Sequence, residues 1–261
     1  MVSEAHRRER VPVVKINHLR IWERIILGVT ILVASVSLVP ALIGQESDDL
    51  LLYEEFHDLN NWTEFQFPGV PESRYTIRVI NGNSVLLAES DNSASALLLR
   101  EEFKVDSFPV LRWRWKVENV LRTGNARRKT GDDYALRIYV NFQYNPERAP
   151  LWKQAKYEAI RLAIGRYPPR NALSFIWANQ PYDARILPNQ SDKSERMVVM
   201  QAGSTSVGDW VEEEVNILRW YREAFGDRPS QLVSLAIMAD SDDTGEKTEA
   251  YLDYLEVARE E

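Results

Sequence analysis

Two acidic turns and one polar strand face carry the residues of this chain best suited to chemistry. In Asp240-Ser241-Asp242-Asp243-Thr244-Gly245, Asp fills the first and third places, Thr the fifth and Gly the sixth, as in the first half of an EF-hand calcium loop. The twelfth place is Tyr251 and not the bidentate Glu, and the flanks read as strands, which rejects an EF-hand. Hard oxygen ligands on a tight turn still suit calcium. Asp240, Asp242, Asp243 and Thr244 are therefore candidate ligands in a calcium loop of another kind, against the plainer expectation that the Asp side chains cap their own turn. The second turn is Gly131-Asp132-Asp133 at the mouth of a strand. A carboxylate there could bind a sugar hydroxyl, hold a cation or act as acid or base. Glycoside hydrolysis would need a partner carboxylate about 5–10 Å away, and turn capping is the simpler use of at least one of the pair.

The polar strand face comes from two alternating stretches. Arg112, Arg114 and Lys116 alternate with Leu111, Trp113, Trp115 and Val117. Arg137, Tyr139 and Asn141 alternate with Leu136, Ile138, Val140 and Phe142. If the two strands share a sheet, these polar side chains project from one face. Arg can fork onto carboxylates or hydroxyls and Tyr can stack on a sugar, so Asp132, Asp133, Arg137, Tyr139 and Arg114 are the candidate ligand-binding residues. Arg137 has apolar neighbours in mid-strand, and acidic residues look scarce on this face, which suits an anion or acidic sugar. The alternative is a solvated face with cross-strand charge pairs. Beyond Ile25, His57 is the only histidine, and the chain has no Cys. A Ser-His-Asp hydrolase, a multi-His metal site, a thiolate nucleophile and a disulfide framework are thereby excluded or hard to build.

The elements that must position these groups are short strands. Period-2 alternation over Leu111–Val117 and Leu136–Phe142 marks half-buried strands, read as a pair in the middle of one sheet with the double Trp in its core. Asn81-Gly82 is a hairpin turn signal between Tyr75–Val79 and Ser84–Ala88. Further strands are expected over 94–100, 172–179, 197–202, 210–215, 232–240 and 251–257. A helix is expected between Pro150 and Gly165, packed through Trp152, Ala155, Ala159, Leu162 and Ala163. A second, short one over 218–225 stops at Gly226. The pattern predicts an all-β, jelly-roll-like β-sandwich over residues 46–261 with one or two short helical insertions.

Charge is unevenly placed. Residues 1–24 carry a net +3 and the remainder a net −10. An acidic main domain argues against nucleic acid as a partner, and Arg127-Arg128-Lys129 reads as a solvated loop. Between the halves lies IILGVTILVASVSLVPALIG, residues 25–44, uncharged and long enough to cross a hydrocarbon core of about 30 Å. Its basic and acidic flanks predict a cytoplasmic segment 1–24, a transmembrane anchor or signal peptide at 25–44, and an extracytoplasmic, periplasmic main domain. Val39 and Ala41 offer a small-residue pair for cleavage.

Trp113-x-Trp115-Lys116, the run Gly131–Val140, Leu173-Ser174-Phe175-Ile176-Trp177-Ala178, Trp210 followed by Asn216, Ala224-Phe225-Gly226, and Ile237-Met238-Ala239-Asp240-Ser241-Asp242 together resemble a bacterial family, the domain of unknown function numbered 3047. The resemblance runs from about Tyr53 to Val257. One departure is Trp220-Tyr221, where such sequences often carry Asp-Tyr. The resemblance implies an exported bacterial protein and fits the β-sandwich, but brings no activity with it. Aromatic-rich strands, acidic turns and the export segment lead to the expectation of a non-catalytic, carbohydrate-binding-like sandwich at the cell envelope. Its partners would be the membrane, a glycan and calcium. The first rival is a glycan-active enzyme, either a hydrolase pairing Asp132 or Asp133 with Asp240 or Asp242, or a lyase using Tyr139 and Arg137. The second is a structural envelope protein that binds other proteins.

Overall fold

A computed structural model of the chain describes residues 49–148, 151–164 and 167–260. The expected segments 1–24 and 25–44 lie outside the described residues. Among the described residues no helix is long and apolar enough to cross a membrane.

The elements follow in the order β1 (Leu50–Glu54), β2 (Trp62–Gln66), β3 (Arg74–Ile80), β4 (Asn83–Asp91), β5 (Ala94–Leu99), β6 (Phe103–Lys104), β7 (Val110–Val117), β8 (Arg137–Phe142), α1 (Leu151–Ile164), β9 (Asn171–Ala178), β10 (Ile186–Pro188), β11 (Glu195–Ala202), β12 (Val211–Asn216), α2 (Ile217–Phe225), β13 (Leu232–Asp240) and β14 (Lys247–Ala258). They build two sheets. The first runs β12-β7-β14-β4-β3, with β1 on one end of β14. The second runs β10-β11-β9-β8-β13-β5-β2, with β6 on β13. One apolar core lies between them, as alternation predicts: Leu86, Trp113, Trp115, Leu252 and Leu255 from the first sheet meet Leu97, Ile138, Phe175, Trp177 and Ile237 from the second. Trp113 packs on Phe175 at 5.4 Å and Trp115 on Trp177 at 5.7 Å between ring centroids. The result is the expected sandwich with helical insertions.

One expectation fails in a way that rearranges the polar groups. β7 and β8 do not share a sheet: β7 pairs with β12 and β14, β8 with β9 and β13. Both turn their apolar sides inward, so Arg112, Arg114 and Lys116 lie on the outside of one sheet and Arg137, Tyr139 and Asn141 on the outside of the other. Alternation fixes which side chains face the core, not which sheet a strand joins. The face around β7 is not poor in acids either. The strand beside it is Val211-Glu212-Glu213-Glu214, with Glu212 opposite Arg114 and Glu214 opposite Arg112. A bulge in β14 turns both Asp253 and Tyr254 toward the same side.

The helices differ in how well they match expectation. α2 begins on Asn216, whose side chain accepts the Arg219 N–H, and ends on Gly226 in the left-handed conformation at φ 74°. α1 has the expected extent, but two residues of its expected packing stripe are exposed. Ala155 is exposed and Leu162 is 74% exposed. Tyr157 of α1 lies 4.3 Å from buried Tyr144, and Tyr167, beyond the helix, 5.5 Å from it, between ring centroids. The Asn81-Gly82 turn has φ 53° and 89°, the left-handed pair that a tight hairpin requires.

Candidate functional site

The second sheet's outer face carries the densest polar constellation among the described residues. The loop from Leu121 to Asp133 brings two carboxylates to the mouth of β8. Asn179, at the end of β9, holds this loop: its Nδ2 donates to the Asp133 carbonyl at 2.6 Å and its Oδ1 accepts the Leu121 N–H at 2.8 Å. Gly124 sits against that amide so closely that a Cβ there would lie 2.1 Å from Asn179 Nδ2. Gly131 is similarly confined, with the Asn125 backbone nitrogen 2.8 Å from where a Cβ would be. Glu246 ties the loop from the other side, accepting from Thr123 N at 2.9 Å and Arg122 N at 3.2 Å.

Arg137 is the centre of what the loop delivers. It is 3% exposed, not solvated as a mid-strand Arg on an outer face would be. Its Nη2 donates to Asp240 Oδ2 and, at 3.2 Å, to the Asp132 carbonyl; its Nη1 reaches Asp132 Oδ1 at 3.5 Å. Tyr134 and Tyr139 lie against the guanidinium at 4.8 and 5.7 Å. Asp240 in turn accepts the Tyr134 N–H at 3.1 Å. Asp132, Arg137 and Asp240 thus converge from a loop, β8 and the end of β13.

Three further residues join them that sequence reasoning passed over. Asn189 donates through one Nδ2 to Asp132 Oδ2 at 2.7 Å and to Glu195 Oε2 at 3.2 Å. Ser174 donates to Glu195 Oε1 at 2.5 Å. Glu195 lies two residues before the predicted start of its strand. Its parity with Met197 would have placed it on the covered outer face, had the strand been extended. Asn189, in a Pro-Asn-Gln-Ser turn, gave no signal beyond that of a turn.

Electrostatics follows from burial around one cation. Burial pushes the Glu195 carboxyl up to about 7, against the pull of Arg137 and the Ser174 hydroxyl. Burial also pushes the Asp240 carboxyl up, opposed by Arg137. For Arg137, burial works against the charge, but Asp240, Tyr139 and Asp132 hold the guanidinium protonated. Burial raises the Tyr139 hydroxyl well above its usual range, the opposite of what a lyase base requires.

The remaining candidates fall in other places. Arg114 is not a free ligand group: it bonds Asp253 Oδ2 at 2.9 Å and faces Glu212 at 3.9 Å. Arg112 pairs with Glu214 and Glu256, both at 2.6 Å. That face is the solvated, charge-paired surface. Asp133 and Asp242 join Asp240 in a group of three carboxylates, each offering an oxygen within 4.8 Å of the others. Asp243 and Thr244 stand outside this trio. Thr244 donates its N–H to Asp133 Oδ2 at 2.6 Å and its hydroxyl to Ser241 O at 3.3 Å, so it caps the turn. His57 is exposed beside Glu55. A separate surface cavity of about 530 Å³, lined by Arg74, Glu89, Asp91 and Lys247 among others, contains none of the network. Its two cations pair with acids of the same lining, Arg74 with Glu89 and Lys247 with Asp91.

A family model described as "Protein of unknown function (DUF3047)" matches residues 60–256. The chain belongs to the DUF3047 family. The whole Asp132–Arg137–Glu195–Asp240 network lies inside the DUF3047 span. A search of curated proteins found no match. Solved structures similar to the chain include the family 30 carbohydrate-binding module of a cellulosomal cellulase of Clostridium thermocellum, at 11% identity and TM-score 0.42, covering 81% of this chain and 99% of the module. Endoglucanase 3 of Trichoderma harzianum, from family GH12, is similar at 10% identity and TM-score 0.38, covering 82% and 99%. The xyloglucanase domain of NopAA from Sinorhizobium fredii is similar at 10% and 0.36, covering 76% and 93%.

Proposed function

We propose that this chain is a glycan-binding β-sandwich held at the outer side of a bacterial membrane. The observation that carries the reading is the outer face of the second sheet. There, half-buried Tyr139, Phe65 and Phe67 cluster over Ala94, Ala96 and Met238, beside the fixed carboxylates, amide and guanidinium of the Arg137 network. Flat rings held in place by a rigid buried network offer the stacking surface that the apolar face of a sugar requires. The uncharged run at 25–44 between basic and acidic flanks supports the membrane placement. The test is a panel of cell-envelope glycans against the full-length chain, with and without calcium. Binding to at least one glycan is expected, weakened at least tenfold by Tyr139→Ala in a protein that still melts cooperatively, and unchanged by Arg114→Ala. A panel with no binder sinks the reading.

A second reading, glycan hydrolysis, is favoured by one feature. Because a single Asn189 Nδ2 bonds both Asp132 and Glu195, the two acceptor oxygens lie at most about 6 Å apart, a limit that admits the carboxylate spacing of retaining glycosidases, about 5–5.5 Å, with the Asn189 amide as the group a substrate would displace. Glu195, raised to about 7, has the character of a general acid, with Asp132 as the nucleophile opposite. Turnover of a bound glycan, abolished by Glu195→Gln and by Asp132→Asn while binding persists, would establish this. Binding without turnover in the unaltered chain would dispose of it.

A further inference from the structure

Asp133 is the group that the Arg137 network leaves over. It has no exposed surface. Its Oδ2 accepts the Thr244 N–H, whereas its buried Oδ1 has no hydrogen-bond partner. A buried carboxylate oxygen in that state carries an uncompensated desolvation penalty. The Arg137 guanidinium makes no hydrogen bond to it: Nη2 is on Asp240 and the Asp132 carbonyl, Nη1 is on the Asp132 carboxylate, and Nε has no partner among the described residues.

Asp133 nevertheless shares its site with two more acids. Asp133, Asp240 and exposed Asp242 each bring one carboxylate oxygen within 4.8 Å of the other two. Three like charges at that range, two of them buried, repel strongly in a low-dielectric setting. Two oxygens on one calcium ion, each at roughly 2.3–2.6 Å, lie at most about 5 Å apart, and the trio meets that limit. The ligands also come from two separate segments, the loop before β8 and the turn after β13, which a cation would fasten together. The end of β13 and the turn after it contribute Asp240 and Asp242, while Asp133, from the other segment, stands in place of the Asp243 and Thr244 expected from the motif alone.

We infer that Asp133, Asp240 and Asp242 bind one calcium-sized divalent cation, with water completing its coordination. This stands apart from the glycan reading and is tested without any glycan. Calcium chloride is titrated calorimetrically into the full-length chain after EDTA treatment and dialysis, and the thermal midpoint is followed as calcium rises. One saturable site per chain is expected, with a midpoint that climbs with calcium concentration. Asp133→Asn risks the fold, so the deciding variant is Asp242→Asn, which is exposed and outside the Arg137 pairs. It should leave the calcium-free midpoint no lower, since it removes one of three repelling charges, and weaken binding at least tenfold. Absence of saturable binding in the unaltered chain, or unchanged affinity in Asp242→Asn, overturns the inference.

Discussion

Arg137 shows how a single residue organises this protein. A guanidinium at 3% exposure is tolerable only because Asp240 and Asp132 meet it. Removing the cation alone leaves those carboxylates buried and unmatched. Arg137→Met is therefore expected to destabilise the domain by about 3–5 kcal/mol, measured as the shift in urea unfolding. A loss under 1 kcal/mol would mean that the network is solvated in solution. Glu195 makes a separate, pH-dependent prediction. Its value of about 7 in the folded chain lies above the ordinary 4.5, so between those values the folded chain keeps a proton that the unfolded chain has released. The resulting stability is fully present below about pH 4.5 and is lost as pH rises through about 7. Between pH 4 and pH 8, the unaltered chain should lose about 3 kcal/mol more than Glu195→Gln, which cannot ionise. Equal losses in the two proteins would remove Glu195 from the account.

At the scale of elements, the site depends on the loop between β7 and β8. Its conformation is set by close approaches and not by regular structure. Gly124 leaves room for the Asn179 amide that holds both Leu121 and Asp133. Gly124→Ala would displace that amide and free the loop. The expected outcome is a loss of about 1–3 kcal/mol, together with faster hydrogen exchange at Leu121 N, while core amides of β9 keep their protection. Exchange unchanged at Leu121 would show that the loop is held elsewhere. The strands that receive the loop need no such help. Trp113 and Trp115 on β7, and Phe175 and Trp177 on β9, lock the two sheets by packing alone.

At the scale of the whole molecule, the sandwich presents two outer faces with different chemistry. The first sheet's face pairs nearly every cation with a neighbouring acid: Arg112 with Glu214 and Glu256, Arg114 with Asp253, Lys116 with Glu118. Such pairs contribute little each and leave no charge seeking a ligand. The second sheet's face concentrates carboxylates around one buried guanidinium beside half-buried rings. This asymmetry is why Tyr139→Ala and Arg114→Ala are expected to part in the glycan panel, the first losing affinity and the second keeping it.

The sequence by itself determined the class of fold and its interior. Alternation placed Trp113, Trp115, Ile138, Val140 and Phe175 in the core, because side-chain period and burial are local properties of a strand. Asn81-Gly82 marked a turn and Gly226 the end of a helix in the same local way. The acidic turns at 131–133 and 240–242 were also legible as clusters of carboxylates, though not as neighbours of one another. Tertiary structure alone decided that β7 and β8 lie in opposite sheets, since strand pairing is a contest among many similar edges. It alone brought Asp132 and Asp133 against Asp240, more than a hundred positions away, and recruited Glu195 and Asn189. A charged residue at a strand start looks the same in sequence whether it meets water or a buried arginine. The difference is made by what the rest of the chain packs over it.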